Sequence, residues 1–348
     1  MTIAVLAGGT SPERDVSLNS GKMIYHALKE RGHQVILLDV YLGYEAEIIN
    51  DAISIFTAEI DWAADIIAVK SESPDIEAIK ARRPDGDQNF FGPNVIRLCQ
   101  AADVVFIALH GECGENGKIQ ASFDLMGIRY TGSGHMSSAI AMDKTLAKEL
   151  FRLHGIPTPK SISILKGETS VLPEEMKYPL IIKANNGGSS IGVQIANNDA
   201  EYALAMADAY RYDSMALVEQ YIEGREFSVA ILAGKALPVI EIAPRQGFFD
   251  YHNKYQPDAT VETCPAVIPA DLASTLQRFA EKVFVILRLS NYARVDFMMD
   301  NAGNLYCLEA NTLPGMSPNS LLPKEAVAAG TTFGALCEKI VMYSLDHS

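Results

Sequence analysis

Residues 293–300 (ARVDFMMD) and 305–311 (LYCLEAN) flank a five-residue turn, Asp300-Asn301-Ala302-Gly303-Asn304, and read as the two strands of a hairpin. Strand side chains two residues apart point the same way. Arg294 and Asp296 therefore share a face, and so do Glu309 and Asn311. Paired antiparallel, the strands gather two carboxylates, one amide oxygen and one guanidinium on one surface. Hard oxygens that leave room for phosphate oxygens suit Mg²⁺, and an arginine beside them suits a developing anion. The combination points to phosphoryl transfer from a nucleotide. Taken alone, these residues fit an ordinary hairpin with a wet, charged face equally well. The flanks favour the functional alternative. Val295, Phe297, Cys307 and Leu308 are expected to bury the opposite side, and residues 311–318 (NTLPGMSP) form a rigid loop with exposed backbone N–H groups.

Upstream, the first third of the chain alternates strand and helix. Residues 3–7, 34–40 and 103–109 read as apolar strands, and residues 17–31 as a helix stopped near Gly32. Such alternation predicts a mostly parallel sheet with helices on both faces, whose ligands sit beyond the carboxyl ends of the strands. Two of those ends carry unusual loops, residues 8–14 (GGTSPER) and 110–117 (HGECGENG). After a break near residues 131–134 comes a helix over 142–154 carrying Lys144. Short strands follow at 161–165, 180–183, 193–195, 216–220 and 227–232, and the chain ends in a helix over 332–345. Its 348 residues exceed one ordinary core and predict two or three domains.

Composition excludes several classes. The formal net charge is −14, whereas nucleic-acid binders carry a basic field. Cations for an anionic ligand must then be concentrated locally, and Lys144, Lys183, Lys254 and Arg294 are the candidates. No apolar run approaches a membrane span, and the N-terminus reads as a strand and turn rather than a signal peptide. The five cysteines are scattered and form no C-x-x-C pair, so neither a disulfide framework nor a zinc site is signalled, and a cytoplasmic home fits best.

A nucleotide has no familiar cradle here. Gly8-Gly9-Thr10-Ser11 lacks the G-x-G-x-x-G spacing of a dinucleotide fold, which argues against a nicotinamide oxidoreductase, and there is no Walker A sequence. Residues 183–193 (KANNGGSSIGV) supply the best phosphate loop: glycines let the backbone approach a polyanion, and Lys183 adds charge. A plain Gly/Ser hairpin loop is the alternative. Residues 217–222 run as an apolar strand into the polar turn 223–226, where the strand edge could bond a purine and Glu226 a ribose; a solvated turn explains the same residues. Residues 248–255 (FFDYHNKY) form an aromatic loop that reads as a lid or as a self-packed Ω-loop. His110, at a strand end, reads more readily as a structural donor than as a base.

These motifs, in this order and over nearly the whole chain, resemble the ATP-grasp superfamily and, within it, the D-alanine–D-alanine ligase family. The likeness rests on residues 8–17, 110–117, 141–144 (AMDK), the lysine–Gly-Ser-Ser loop, 219–226, Lys254-Tyr255, 294–296 and 308–320. It implies an α/β and α+β ATP-grasp architecture. An N-terminal parallel-sheet domain (1–133) would be followed by a central ATP-grasp module (134–215) and a C-terminal module with the metal site (216–348), the last two sandwiching ATP. Lys144 and Lys183 would hold phosphates together with Ser189 and Ser190. Glu219, Gln220 and Ile222 would face adenine, and Glu226 the ribose. Asp296, Glu309 and Asn311 would hold two Mg²⁺ ions, with Mn²⁺ able to replace them. Glu13 would pair with the first D-alanine's ammonium, linked through Ser189 to Tyr255, with His110 also lining the substrate site. Lys254, Ser320 and Leu321 would receive the second D-alanine's carboxylate. Arg294 and the Gly315 N–H would form the oxyanion site.

The implied function is a cytoplasmic ligase that joins two D-alanines through D-alanyl phosphate for peptidoglycan precursor synthesis and cell-wall shape. The implied partners are D-alanine, ATP and a second copy in a homodimer, with no nucleic acid and no membrane. Ala184 stands where the family often has proline, and Asn116 where it often has aspartate. D-serine as second substrate, or a non-catalytic nucleotide-binding protein on the same fold, are the rival expectations.

Overall fold

The computed structural model describes residues 1–46, 51–64, 66, 74–83, 89–168, 172–188, 192–245 and 260–346. Three continuous apolar segments, β1 (Thr2–Ala7), β2 (Gln34–Asp39) and β3 (Val104–Ile107), form a parallel sheet in the order β2-β1-β3. Every residue of β1 and β3 is buried, as strands covered on both faces must be. The first helix, α1 (Arg14–Glu30), lies against β1 and β2. It starts three residues before the predicted position. Arg14 is drawn in by tertiary contacts, donating to the Gly9 carbonyl at 2.6 Å and pairing with Asp39 at the end of β2.

Helices α2 (Ile76–Lys80), α3 (Val95–Ala101), α4 (Glu112–Glu115) and α5 (Lys118–Met126) complete this part, followed by α6 (His135–Met142) and α7 (Lys144–Leu153). The helix predicted from residue 142 begins instead at Lys144. Asp143 breaks it from α6, and its carboxylate accepts the Leu146 N–H at 3.0 Å, an N-cap.

The second sheet is antiparallel, in the order β4 (Ser161–Leu165), β7 (Met215–Gln220), β5 (Leu180–Ala184) and β6 (Gln194–Ala196). Helix α8 (Asp199–Ala209) packs on it. Strand β7 thus belongs to the second sheet, although nearly all of it falls on the far side of the 215/216 boundary.

The third sheet is built from β8 (Gly224–Leu232), β9 (Lys235–Ala236), β10 (Ile240–Pro244), β11 (Thr260–Thr263), β12 (Tyr292–Asp300) and β13 (Leu305–Asn311). Its order is β11-β10-β8-β12-β13, with β9 paired to β8. Helix α9 (Ala270–Ile286) covers one face, and Leu276, Ala280 and Val283 pack there with Phe227, Val229, Val295 and Phe297. Burying a side chain of this size contributes about 1.5–3 kcal/mol. The polar turn predicted over 223–226 is shorter than that. Gly224, Arg225 and Glu226 continue β8, opposite Asp300, Met299 and Met298. Only glycine fits at 224, because a Cβ there would lie 1.9 Å from the Met299 carbonyl oxygen.

The chain then forms α10 (Leu321–Ala328) and α11 (Phe333–Asp346). The last helix returns to the beginning of the molecule: Leu336, Cys337, Ile340 and Val341 join the core of the first sheet. Among the described residues, no helix is long and apolar enough to cross a membrane.

Candidate active site

The hairpin forms as predicted, closed by its Asp300 turn: the Asp300 carboxylate accepts the N–H groups of Ala302 at 2.9 Å and Asn304 at 2.8 Å. Its register holds a feature that alternation does not give. Asp296 lies opposite Glu309, but the next residue, Phe297, lies opposite Cys307. Leu308 is therefore an extra residue, a β-bulge. Strict alternation would have put Glu309 on the same face as buried Cys307. With the bulge, Cys307 stays in the core beside Phe297 while Glu309 joins Asp296. Leu308 is turned out with it, half-buried and lining a cavity with Met298, which corrects its expected place on the core face. Val295, Phe297 and Cys307 are buried there as expected.

Arg294 grips Asp296 through two hydrogen bonds, Nε to Oδ1 at 2.9 Å and Nη2 to Oδ2 at 2.8 Å. Ser228, across on β8, donates to Oδ1 at 2.7 Å. Asn311, opposite Arg294, has its Oδ1 fixed by the Leu313 N–H at 3.0 Å. The set is two carboxylates and an amide oxygen with no thiolate or imidazole, donors that fit a hard divalent cation. Carboxylate oxygens hold further lone pairs beyond those engaged here. Among the described residues, no three His, Cys, Asp or Glu side chains converge as a metal set, and the hairpin offers two carboxylates with an amide.

Three lysines converge beside the hairpin. Lys144 opens α7, donates to the Gly187 carbonyl at 2.6 Å and lies 4.0 Å from Glu309. Asn185 ties this helix start to the end of β5, its Oδ1 accepting from Thr145 N at 3.0 Å and Thr145 Oγ1 at 2.7 Å. On β7, Glu219 is only 2% exposed. Lys148 Nζ is 2.7 Å from its Oε1 and Lys183 Nζ 2.8 Å from its Oε2. Burial pushes the Glu219 carboxyl up, but the two lysines outweigh it and hold it below the ordinary range. Burial lowers Lys144 and Lys148. At Lys183 the nearby carboxylates of Glu219 and Glu309 outweigh burial, so its ammonium is held above the ordinary value. Removing one partner from such a buried group typically costs about 3–5 kcal/mol.

Two cavities meet at Lys144. One, of about 420 Å³, is lined by Lys144, Lys183, Glu219, Gln220, Ile222 and Glu226, with Asp296 and Glu309 at one end. Its walls include Ile181, Val193, Met298 and Leu308. The other, of about 320 Å³, holds Glu13, His110, Arg294, Asn311, Gly315, Ser320 and Leu321. Lys144, Gly187, Gly188 and Glu309 border both.

The second cavity lies beyond the carboxyl ends of β1 and β3. Gly111, at φ +70°, is pressed against Glu13; a Cβ there would sit 2.5 Å from Glu13 Oε2. Burial and then Glu13 push the Glu115 carboxyl well above the usual range, and Glu115 Oε2 accepts the Gly111 N–H at 3.0 Å. Burial lowers His110 to about 4, and its Nε2 is 3.2 Å from Ser20 Oγ. The imidazole is thus neutral, in a structural contact.

All predicted site residues among the described ones reach these two cavities. Ser189, Ser190, Lys254 and Tyr255, and with them the aromatic loop over 248–255, lie outside the described residues. Sequence reasoning missed Lys148, Asn185, Ser228 and the role of Glu115. Lys148 had one signal, its i+4 spacing from Lys144 on a helix. Ser228 had none, because its partner is 68 residues away.

Sequence models for the D-ala D-ala ligase N-terminus and C-terminus match residues 2–133 and 150–342. The chain belongs to the D-alanine–D-alanine ligase family. It is 44% identical to the D-alanine–D-alanine ligase of Pediococcus pentosaceus over 347 residues, covering 98% of this chain and 97% of that one. It is 40% identical to that of Lacticaseibacillus casei, covering 98% and 95%. Among solved structures, the D-alanine–D-alanine ligase of Bacillus anthracis complexed with ATP superposes with a TM-score of 0.75 at 29% identity, covering 99% of this chain and 98% of that one. VanG D-Ala:D-Ser ligase from Enterococcus faecalis also superposes with a TM-score of 0.75, at 27% identity and 99% coverage of both chains. The ATP-grasp fold and the ligase membership expected from the motifs therefore hold.

Proposed function

We propose that this protein joins two D-alanines to D-alanyl-D-alanine at the expense of ATP, forming ADP and phosphate, in the synthesis of peptidoglycan precursors. The observation that carries this is the meeting of the two cavities at Lys144 and Glu309. One has the apolar walls and cationic end that suit a nucleoside triphosphate. The other has the carboxylate and guanidinium that suit an amino acid. Family relatives named for the same activity cover nearly the whole chain.

ATP would lie between the second and third sheets, and we place the seam between those modules after Gln220, since β7 pairs with β4 and β5. Glu219, Gln220 and Ile222 would face adenine and Glu226 the ribose, while Lys144 and Lys183 face the phosphates. Asp296, Glu309 and Asn311 would hold Mg²⁺, which when bound neutralises phosphate charge. Glu13 would hold the ammonium of the first D-alanine. That substrate's carboxylate oxygen attacks the γ-phosphorus, and ADP leaves. The amine of the second D-alanine, its carboxylate at Ser320 and the start of α10, then attacks the acyl phosphate carbonyl. Arg294 and the Gly315 N–H would hold the tetrahedral anion. Phosphate departs and the amine gives up its proton.

Lys254, Ser189, Ser190 and Tyr255 complete the proposed site on the strength of the resemblance. A cytoplasmic homodimer completes the proposal; light scattering on the purified protein reads its mass. One assay tests the chemistry: phosphate release from Mg-ATP with D-Ala, with L-Ala, with D-Ala plus D-Ser, and with no amino acid. Release that depends on D-Ala, yields the dipeptide and stops with EDTA is expected. Release indifferent to the amino acid would sink the proposal. A mixed dipeptide formed in preference to D-Ala-D-Ala would favour the D-Ser alternative, which the fold of VanG keeps in play.

A further inference from the structure

Lys148 borders neither cavity and is 0% exposed. It nevertheless holds one oxygen of Glu219, whose other oxygen is held by Lys183, a wall of the nucleotide cavity. We infer that Lys148 is a positioning residue for the nucleotide's phosphates: by sharing Glu219, it keeps Lys183 from being neutralised. This rests on the ATP-dependent ligase proposed above.

The physical case is one of charge. A carboxylate shared by two ammonium groups leaves the trio one unit positive, at the wall a polyanion must approach. With an apolar residue at 148, Glu219 would belong to Lys183 alone and the pair would be neutral. Packing does not explain the buried lysine, since buried ion pairs are often matched or bettered in stability by apolar side chains of similar volume. The ammonium is also anchored on its far side. Lys148 Nζ donates to Thr158 Oγ1 at 2.8 Å, and Thr158 Oγ1 donates to the Cys307 carbonyl at 2.8 Å. Cys307 N in turn donates to the Pro157 carbonyl at 2.7 Å. Cys307 is two residues from Glu309 on β13. The ammonium that shares Glu219 with Lys183 is therefore fastened to the strand that carries the proposed metal ligand.

Binding of ATP and of adenosine to the full-length protein tests this, using Lys148→Met, Lys148→Gln and the double variant Lys148→Met/Glu219→Gln. Glutamine can still bond Glu219 and Thr158 but carries no charge, so it keeps the test open if the methionine variant does not fold. For either single variant the Kd for ATP should rise about tenfold or more, the scale of a unit charge felt across several ångströms at an effective dielectric of about 20. The Kd for adenosine should change far less. In the double variant Lys183 is again unopposed, and the ATP-to-adenosine ratio should return toward that of the wild type. A purely structural role would weaken both ligands alike and leave the ratio unmoved. An unchanged ratio in both single variants, with a wild type that ligates D-Ala, would overturn the Lys148 role alone. A wild type that binds no ATP would overturn both this role and the ligase proposal.

Discussion

Asp296 faces Glu309 directly across the β12–β13 ladder only because Leu308 is bulged out between Glu309 and Cys307. The bulge lets an apolar and an acidic residue two apart on one strand face opposite ways. Glu309→Gln keeps the shape and loses the charge, so turnover should fall by at least about a hundredfold with little change in melting temperature. Deleting Leu308 is the sharper test. It makes Cys307 and Glu309 consecutive on a regular strand, so plain alternation keeps Cys307 in the core and Glu309 on the face of Asp296 without a bulge. Urea unfolding should therefore show only a modest loss for the deletion and almost none for Glu309→Gln. A loss of several kcal/mol in the deletion variant, the scale of a carboxylate forced into the core, would show that the residue count between Cys307 and Glu309 does not set their faces.

Arg294 holds Asp296 as a flat fork at 2.9 and 2.8 Å. A lysine cannot make that pair of bonds. Arg294→Lys should therefore lower kcat/KM by roughly 10²–10³-fold, the scale of a lost oxyanion contact. Steady-state kinetics with D-Ala varied reads this out, and near-wild-type kcat/KM would remove Arg294 from the transition state.

Gly224→Ala places a methyl 1.9 Å from the Met299 carbonyl oxygen. Backbone cannot yield as a flexible side chain can, so β8 and β12 must separate locally. The expected loss is about 3 kcal/mol or more, read as a lowered urea midpoint. Since Arg225 and Glu226 follow directly on β8, nucleotide affinity should fall as well.

His110 should make stability depend on pH. Its ordinary value is 6.5, and burial lowers it to about 4 in the folded protein. The unfolded chain thus takes up a proton near pH 6.5 that the folded chain refuses until about pH 4. The stabilising contribution is present above 6.5, is lost progressively as pH falls to about 4, and changes no further below. The span amounts to about 3 kcal/mol. Denaturation curves between pH 7 and 4 should be shallower in their pH dependence for His110→Gln than for the wild type. Equal slopes would mean that the ring is not buried neutral.

Local chemistry wrote much of this protein into its sequence. Apolar runs and alternation gave the parallel strands β1, β2 and β3 and the hairpin β12–β13. The Asp300-Asn-Ala-Gly-Asn run marked the hairpin turn, and the lysine and glycines of residues 183–193 marked the loop proposed to hold phosphates; each depends on neighbours within a few residues. Other features waited on pairings between distant residues. The bulge at Leu308 follows from what β12 buries opposite it. The sheet that claims β7 follows from β4 and β5, and the early start of α1 from Asp39 at the end of β2. Lys148 looks like any helix-surface lysine until Glu219, 71 residues later in sequence, is folded against it. No local period records which distant carboxylate a buried cation meets. Only the packed chain, where an unpaired charge is too costly to keep, decides that.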